Sequence, residues 1–470
     1  MGAPPSLAAK ESAHPPRAQP TWVNPWAFIP TSIIVLTLAA QICQELPGIL
    51  LKSMGVANFL VGLSALLAIP TGLRFFGGPW VDHHGTKRQW LLGTQGGITL
   101  LTVLLAAFCW ASASWADPAA GLPFLVFWFA VLALASVFLE VAWGGFFLTA
   151  IDERDKALFV GVNAAFVRLS VIFCQGLMVM VAGVVGRETN SILTGWAVAF
   201  GILAVLQCLC LGQHLRVYPY PVLDRPLARE LREPFAKIFS LFFQVPRAGV
   251  ILAFVFLYRL GEGMLAKMKA PFLMDAPERG GLGLSLEGVG MMTGVFTMLA
   301  MVLGGIVGGI LLQRFGLRRT MFPFALVMTI PNAGFVWLAA YPVYATVTFL
   351  GVEISPVAVL VLCVEALGYG IGFASFILLL CEASRGPYRA TFFALLSGIM
   401  MLCWVLAGSI SGMIQEQTGY VWLFILTIVF SVPGILLVFA LPLRALEASG
   451  KEEDHLRHAK PASSAEPPGS

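Results

Sequence analysis

Gly77-Gly78-Pro79-Trp80-Val81-Asp82-His83-His84-Gly85-Thr86-Lys87-Arg88 is a short polar hairpin between two apolar stretches. Gly308-Gly309-Ile310-Leu311-Leu312-Gln313-Arg314-Phe315-Gly316-Leu317-Arg318-Arg319 repeats it at a constant offset of 231 residues. Two glycines, a polar pair, a third glycine and two basic residues stay in register. Gly78 matches Gly309, Asp82 and His83 match Gln313 and Arg314, Gly85 matches Gly316, and Lys87-Arg88 match Arg318-Arg319. Glycine lets two helices approach and turn, and basic residues hold such a loop at a water surface. Asp82 is placed to cap a helix or pair across the bundle. A tight loop alone explains glycine and lysine, but not the same spacing once in each half, so the chain reads as a duplication.

The flanks decide the class. Of 470 residues, 58% are hydrophobic and only 11% are charged, with a mean hydropathy of +0.85. A soluble domain carries about 25% charged residues. A soluble enzyme, a secreted scaffold and a disordered chain are all excluded. Hydrocarbon admits only helices or closed barrels, and a barrel strand alternates apolar and polar residues. Stretches 124–135 and 421–430 are apolar at nearly every position, so the fold class is all-α. Net charge is +4, from 29 Lys+Arg against 25 Asp+Glu, which gives no reason to expect nucleic acid. The eight cysteines lie in apolar stretches without a Cys-x-x-Cys pair. No metal site or cofactor is expected, and HExxH and GxSxG motifs are missing, so neither is an intramembrane hydrolase.

Twelve stretches have the length a bilayer requires: 26–51, 58–76, 89–110, 122–151, 158–186, 194–212, 248–271, 288–312, 320–340, 356–381, 390–414 and 421–443. The expected organisation is a disordered tail (1–23), a six-helix bundle (24–212), a linker (213–247), a second six-helix bundle (248–443) and a second tail (444–470). With the N-terminus in the cytoplasm, the tails and even-to-odd loops hold 21 Lys+Arg. The opposite side holds five (Lys52, Arg187, Lys267, Lys269 and Arg279), and Arg74, Arg168 and Arg259 fall inside spans. That bias puts both termini in the cytoplasm.

A charge near mid-bilayer costs roughly 2.5–3.5 kcal/mol or more, which makes each one a functional candidate. Glu140 and Arg168 each lie twelve residues from the loop joining spans four and five. Equal depth on antiparallel helices makes them plausible ion partners. Arg259 and Glu262 are one turn apart in span seven, Glu365 lies in span ten, and Glu45 is nearer the outer edge of span one. The histidines fall in loops or tails, so proton coupling would use a carboxylate, with Glu262 first and Glu140 second. Trp143 and Tyr369 follow Glu140 and Glu365 by three and four residues, and an aromatic face beside an acid can hold a sugar. Arg74, at the inner end of span two, can snorkel without a special role.

The repeated hairpin resembles the signature of the major facilitator superfamily, with His83 where an arginine is usual. The resemblance implies two six-helix bundles about a central cavity opened alternately to each side. Spans one, four, seven and ten would line it, one carboxylate each: Glu45, Glu140, Glu262 and Glu365. Leu257-Tyr258-Arg259-Leu260-Gly261-Glu262, Ala390-Thr391-Phe392-Phe393-Ala394-Leu395-Leu396-Ser397 and Val432-Pro433-Gly434-Ile435-Leu436 resemble segments of AmpG-type muropeptide permeases. Gly308-Gly309-Ile310-Leu311, Asn332-Ala333-Gly334 and Phe166-Val167-Arg168-Leu169 fit the same pattern. That resemblance implies proton-driven import of amino-sugar disaccharides bearing a peptide across a bacterial inner membrane, by a monomer in the lipid bilayer. Relatives of the group also carry siderophores, acyl-CoA esters or oligosaccharides. The competing reading is a non-transporting receptor or assembly factor on a transporter fold.

Overall fold

The computed structural model describes residues 24–74, 80–81, 86–115, 118–150, 153–218, 240, 242–244, 247–384 and 389–443. Both tails, most of the linker and the first-hairpin residues Gly78, Asp82, His83 and Gly85 lie outside them. Among the described residues, ten helices are long and apolar enough to cross a membrane, and a shorter apolar one covers Asn58–Gly72. The longest, Arg389–Leu437, holds two spans separated at Gly419, whose φ of 79° and ψ of 174° are not helical. Twelve spans result, as the hydropathy pattern predicts. Leu100, Leu209, Ile310, Leu360 and Phe439 are exposed on the outside, where lipid rather than water solvates them.

Several spans are broken where the chain must bend. Span one consists of Ile29–Gln44 and Leu46–Ser53, separated at Glu45. Span seven consists of Ala248–Leu257 and Leu260–Met274, separated at Tyr258–Arg259. Spans five and eight each contain a π-helical segment, Ile172–Met178 and Gly290–Phe296. Span six runs through Val217, past the expected linker boundary. His214 therefore belongs to a helix and not to a loop. It is buried, with Nδ1 2.8 Å from Gln95 Oε1 and Nε2 2.9 Å from Thr31 Oγ1, and it ties spans three, six and one together. Between spans nine and ten a hairpin pairs Val347–Phe349 with Val352–Ile354. Leu350 and Gly351, both at positive φ, form its turn.

The two halves meet along two seams made of backbone rather than side chains. In one, Gly62 of span two faces Gly412 of span eleven. A Cβ on Gly62 would lie 2.9 Å from Gly412 N. In the other, the π segments of spans five and eight touch through Gly176 and Gly294, and a Cβ on Gly294 would overlap the Gly176 backbone. Glycine at both places permits an approach that any side chain would block.

Polar ties close one face of the molecule, the face of the odd-to-even connections. Lys52 ends span one and forms an ion pair with Asp275, which follows span seven. Tyr420 Oη donates to Asp275 at 2.5 Å, and Asn58 Nδ2 donates to Asp275 at 2.8 Å and to Gln415 Oε1 at 2.7 Å. All five side chains are buried. Farther out, Arg187 pairs with Glu287. All of these contacts except Tyr420–Asp275 cross from one half to the other.

Candidate functional site

The second half supplies most of the site through the break in span seven. Gly261 presses on span twelve so closely that a Cβ would overlap the Thr427 carbonyl. Just before it, Arg259 leaves helical register and turns its guanidinium into an aromatic box. Its Cζ lies 4.5 Å from the Trp404 ring centroid, 5.2 Å from Phe373 and 5.3 Å from Tyr369. Its Nη1 donates to Tyr369 Oη at 3.0 Å. A desolvated cation over an aromatic face gains about 2 kcal/mol, so the buried charge is held without a carboxylate.

Glu262 opens the second helix of the span. It is 2% exposed, and its Oε1 accepts from Asn332 Nδ2 at 3.0 Å. The expected side-by-side pair with Arg259 is not formed: the break turns one side chain toward spans ten and eleven and the other toward span nine. Farther along the same helix, Lys269 Nζ donates to Glu365 Oε2 of span ten at 2.8 Å. Lys267 and Lys269, counted from the sequence as outer-surface charges, instead lie within span seven and line a cavity.

That cavity has a volume of about 320 Å³ and lies between the halves. Six ionisable side chains line it: Glu45 and Arg168 from the first half, and Glu262, Lys267, Lys269 and Glu365 from the second. Tyr369, Trp404, Gln175 and Thr297 add polar and aromatic surface. Gln175 Nε2 donates to Gln41 Oε1 at 2.5 Å. Glu45 lines the cavity at the break in span one.

Three further sequence expectations need correction. Glu140 does not meet Arg168; it pairs with Arg74, whose Nη2 donates to Ser397 Oγ at 2.7 Å. Arg74 thus does more than snorkel, because it links spans two, four and eleven. Arg168 faces the other way, with Nη1 3.8 Å from Met301 Sδ of span eight. Equal depth fixes position along a helix and not rotation about it. Trp143 fails for the same reason: it is buried against Phe146 and Phe147, at centroid distances of 6.2 and 5.7 Å, away from the cavity.

The second hairpin is described in full. Gly316, at φ 76°, separates Thr297–Phe315 from Leu317–Thr329. Gln313, Arg314, Arg318 and Arg319 are exposed beside it, and Gly309 has open space where a Cβ would stand. In the first hairpin Lys87 and Arg88 start Lys87–Ser112, capped by Thr86 and Gln89. Arg88 Nε donates to the Tyr218 carbonyl at 3.2 Å.

Against known proteins, the Major Facilitator Superfamily model matches residues 26–352 and 251–466. The chain belongs to the major facilitator superfamily. The anhydromuropeptide permease of Escherichia coli K12 is 25% identical over 389 residues, covering 80% of this chain and 72% of that protein. A Rickettsia conorii protein named putative transporter AmpG 4 is 21% identical, covering 88% of this chain and 93% of its own. Among solved structures, the inward-open xylose transporter XylE from E. coli has a TM-score of 0.64 at 15% identity, covering 91% of this chain and 99% of that one. A D-xylose–proton symporter has a TM-score of 0.63 at 14% identity, covering 88% and 95%. These neighbours share the fold. The superfamily member is thus a polytopic membrane transporter, and its relatives are permeases rather than enzymes.

Proposed function

We propose that this transporter imports a sugar-containing solute of the anhydromuropeptide class, coupled to protons, across a bacterial inner membrane with both termini in the cytoplasm. The observation that carries this reading is the cavity between the halves, where acids and bases from both bundles face a shared space. The name of the E. coli permease supplies the solute class. With Lys267 and Lys269 reassigned to span seven, only Lys52, Arg187 and Arg279 remain on the odd-to-even face, against 21 basic residues opposite. That face is external in this orientation, and the buried Lys52–Asp275 network closes it. In this orientation the cavity is closed to the outside.

Glu262 carries the proton in this reading. Its partner among the described residues is the neutral Asn332 amide, and the cavity reaches it. An amide N–H can donate to either form of a carboxyl group, so the contact survives loading and release. Glu365, held by Lys269, fixes the wall around it.

Proteoliposomes with an imposed proton gradient test the reading. The wild-type protein accumulates anhydro-muropeptide against its gradient, while Glu262→Gln retains exchange but not accumulation. Full gradient-driven accumulation by Glu262→Gln would overturn the coupling role. If the wild-type protein binds the solute without counterflow, the receptor reading takes its place. If it neither binds nor moves a muropeptide, the solute class is wrong.

A further inference from the structure

The cavity charges are unequally satisfied. Glu365 has Lys269 at 2.8 Å, and Glu262 has the Asn332 amide at 3.0 Å. Arg259 stands in its aromatic box with Tyr369 Oη at 3.0 Å. Two cations remain. Among the described residues Arg168 has only the weak acceptor Met301 Sδ, at 3.8 Å. Lys267 has no hydrogen bond or ion pair among the described residues; Glu45, on the same cavity, is not within salt-bridge distance. Gly48 makes room for the Lys267 ammonium, since a Cβ there would lie 2.9 Å from its Nζ.

A partly buried cation without an acceptor is costly unless something supplies one. Both line one cavity, Arg168 on span five of the first half and Lys267 on span seven of the second. We infer that Arg168 and Lys267 form a two-sided seat for a carboxylate of the transported solute, one cation from each half. The guanidinium offers a planar fork and the ammonium a movable point charge, a pair suited to one carboxylate gripped from two directions. The inference rests on the transport reading above and narrows its substrate to acidic members. A solute so held also joins the halves, because each contributes one of the two contacts.

The test compares acid and amide forms of one ligand on purified full-length protein. The probes are anhydro-muropeptide with free peptide carboxylates, its fully amidated form, and a small sugar acid with its amide. Binding is read by thermal stabilisation and uptake by counterflow. Charge-assisted contacts predict that wild-type protein binds the acid about tenfold or more tightly than the amide. Lys267→Gln and Arg168→Gln each bring that ratio toward one, and Lys267→Arg restores it. Should a glutamine variant fail to fold, the wild-type ratio and Lys267→Arg still decide the matter. If muropeptide is transported but acid and amide behave alike, the seat is refuted and the transport reading stands. If no muropeptide binds but the sugar acid is preferred in a Lys267-dependent way, the solute class fails and the seat stands. Equal behaviour of every acid and amide pair overturns it.

Discussion

Removing one charge from the network that seals the odd-to-even face should open that face. Asp275 accepts from Lys52, Asn58 and Tyr420, all buried. In Asp275→Asn the Lys52 ammonium stays buried without a counter-charge, left with neutral acceptors only: Asn58 Oδ1, at 2.7 Å, and the oxygen of the new amide. Breaking a buried ion pair costs about 3–5 kcal/mol, and the surviving Asn58 contact argues for the lower figure. When the halves part on this face, Lys52 is in water and the penalty vanishes. The whole cost therefore falls on the closed state. About 3 kcal/mol is roughly a 150-fold change in the equilibrium, so a closed population of about 99% would fall to about 40%.

Spin labels at Glu188 and Glu278 read this directly, since both are exposed and stand on the same face in different halves. With native cysteines replaced and the protein in nanodiscs, wild type gives one short distance and Asp275→Asn adds a longer one of comparable weight. Arg187→Gln is the companion variant. Its pair with Glu287 joins an arginine that is 61% exposed to a carboxylate that is 5% exposed, so this change weakens the same face at a second point and should also lengthen the distance. A distance distribution unchanged by Asp275→Asn would refute the assignment of the network as the closing element.

Three further outcomes follow from the packing. Gly294→Val cannot keep its contact with the Gly176 backbone; the overlap should cost about 1–3 kcal/mol or more, and the same spin-label pair should report a separated face. Arg259→Lys keeps the charge but loses the planar stack on Trp404 and the fork that reaches Tyr369. It should destabilise the protein by about 1–2 kcal/mol, read as a lower melting temperature in detergent. Glu140→Gln should change stability by less than about 1 kcal/mol, because its pair with Arg74 is partly solvated, at 34% and 25% side-chain exposure. Loss of gradient-driven uptake in that variant would return Glu140 to the coupling path.

How far the sequence could be read depended on the kind of information each feature needed. Twelve spans were legible because hydrocarbon tolerates so few alternatives. The repeat at 77–88 and 308–319 was legible because a tight turn requires glycine at fixed positions. The site was legible only in part. Burial of charge pointed to Glu262, Arg259, Glu365 and Arg168, yet depth along a helix says nothing of azimuth, and so Glu140 and Trp143 were placed on the wrong wall. Lys267 and Lys269 escaped because both stand near the outer end of the stretch 248–271 and were counted with the charges of the outer face, although the helix holds them against a cavity. The break at Tyr258–Arg259 carries no proline to announce it. It follows from Gly261 pressing on the Thr427 carbonyl, a contact between residues far apart in the chain.

The two halves match in backbone and differ in charge, and the difference bears on mechanism. Spans five and eight carry facing π segments, and both seams rest on paired glycines, so either half could slide or rock against the other on similar terms. The cavity acids and bases are not shared evenly: four come from the second half and two from the first. Those of the second half include the Lys269–Glu365 pair, whose members sit on neighbouring spans and travel together when the halves part. Arg168 and Glu45, in contrast, move away with the first half. A solute resting on the second half would keep most of its contacts in every state, and only those from Arg168 and Glu45 would change as the cavity switches sides. Since a ligand shifts an equilibrium only by its differential affinity for the two states, the lever on conformation lies with the two charges of the first half. The larger, constant share of binding lies with the four of the second.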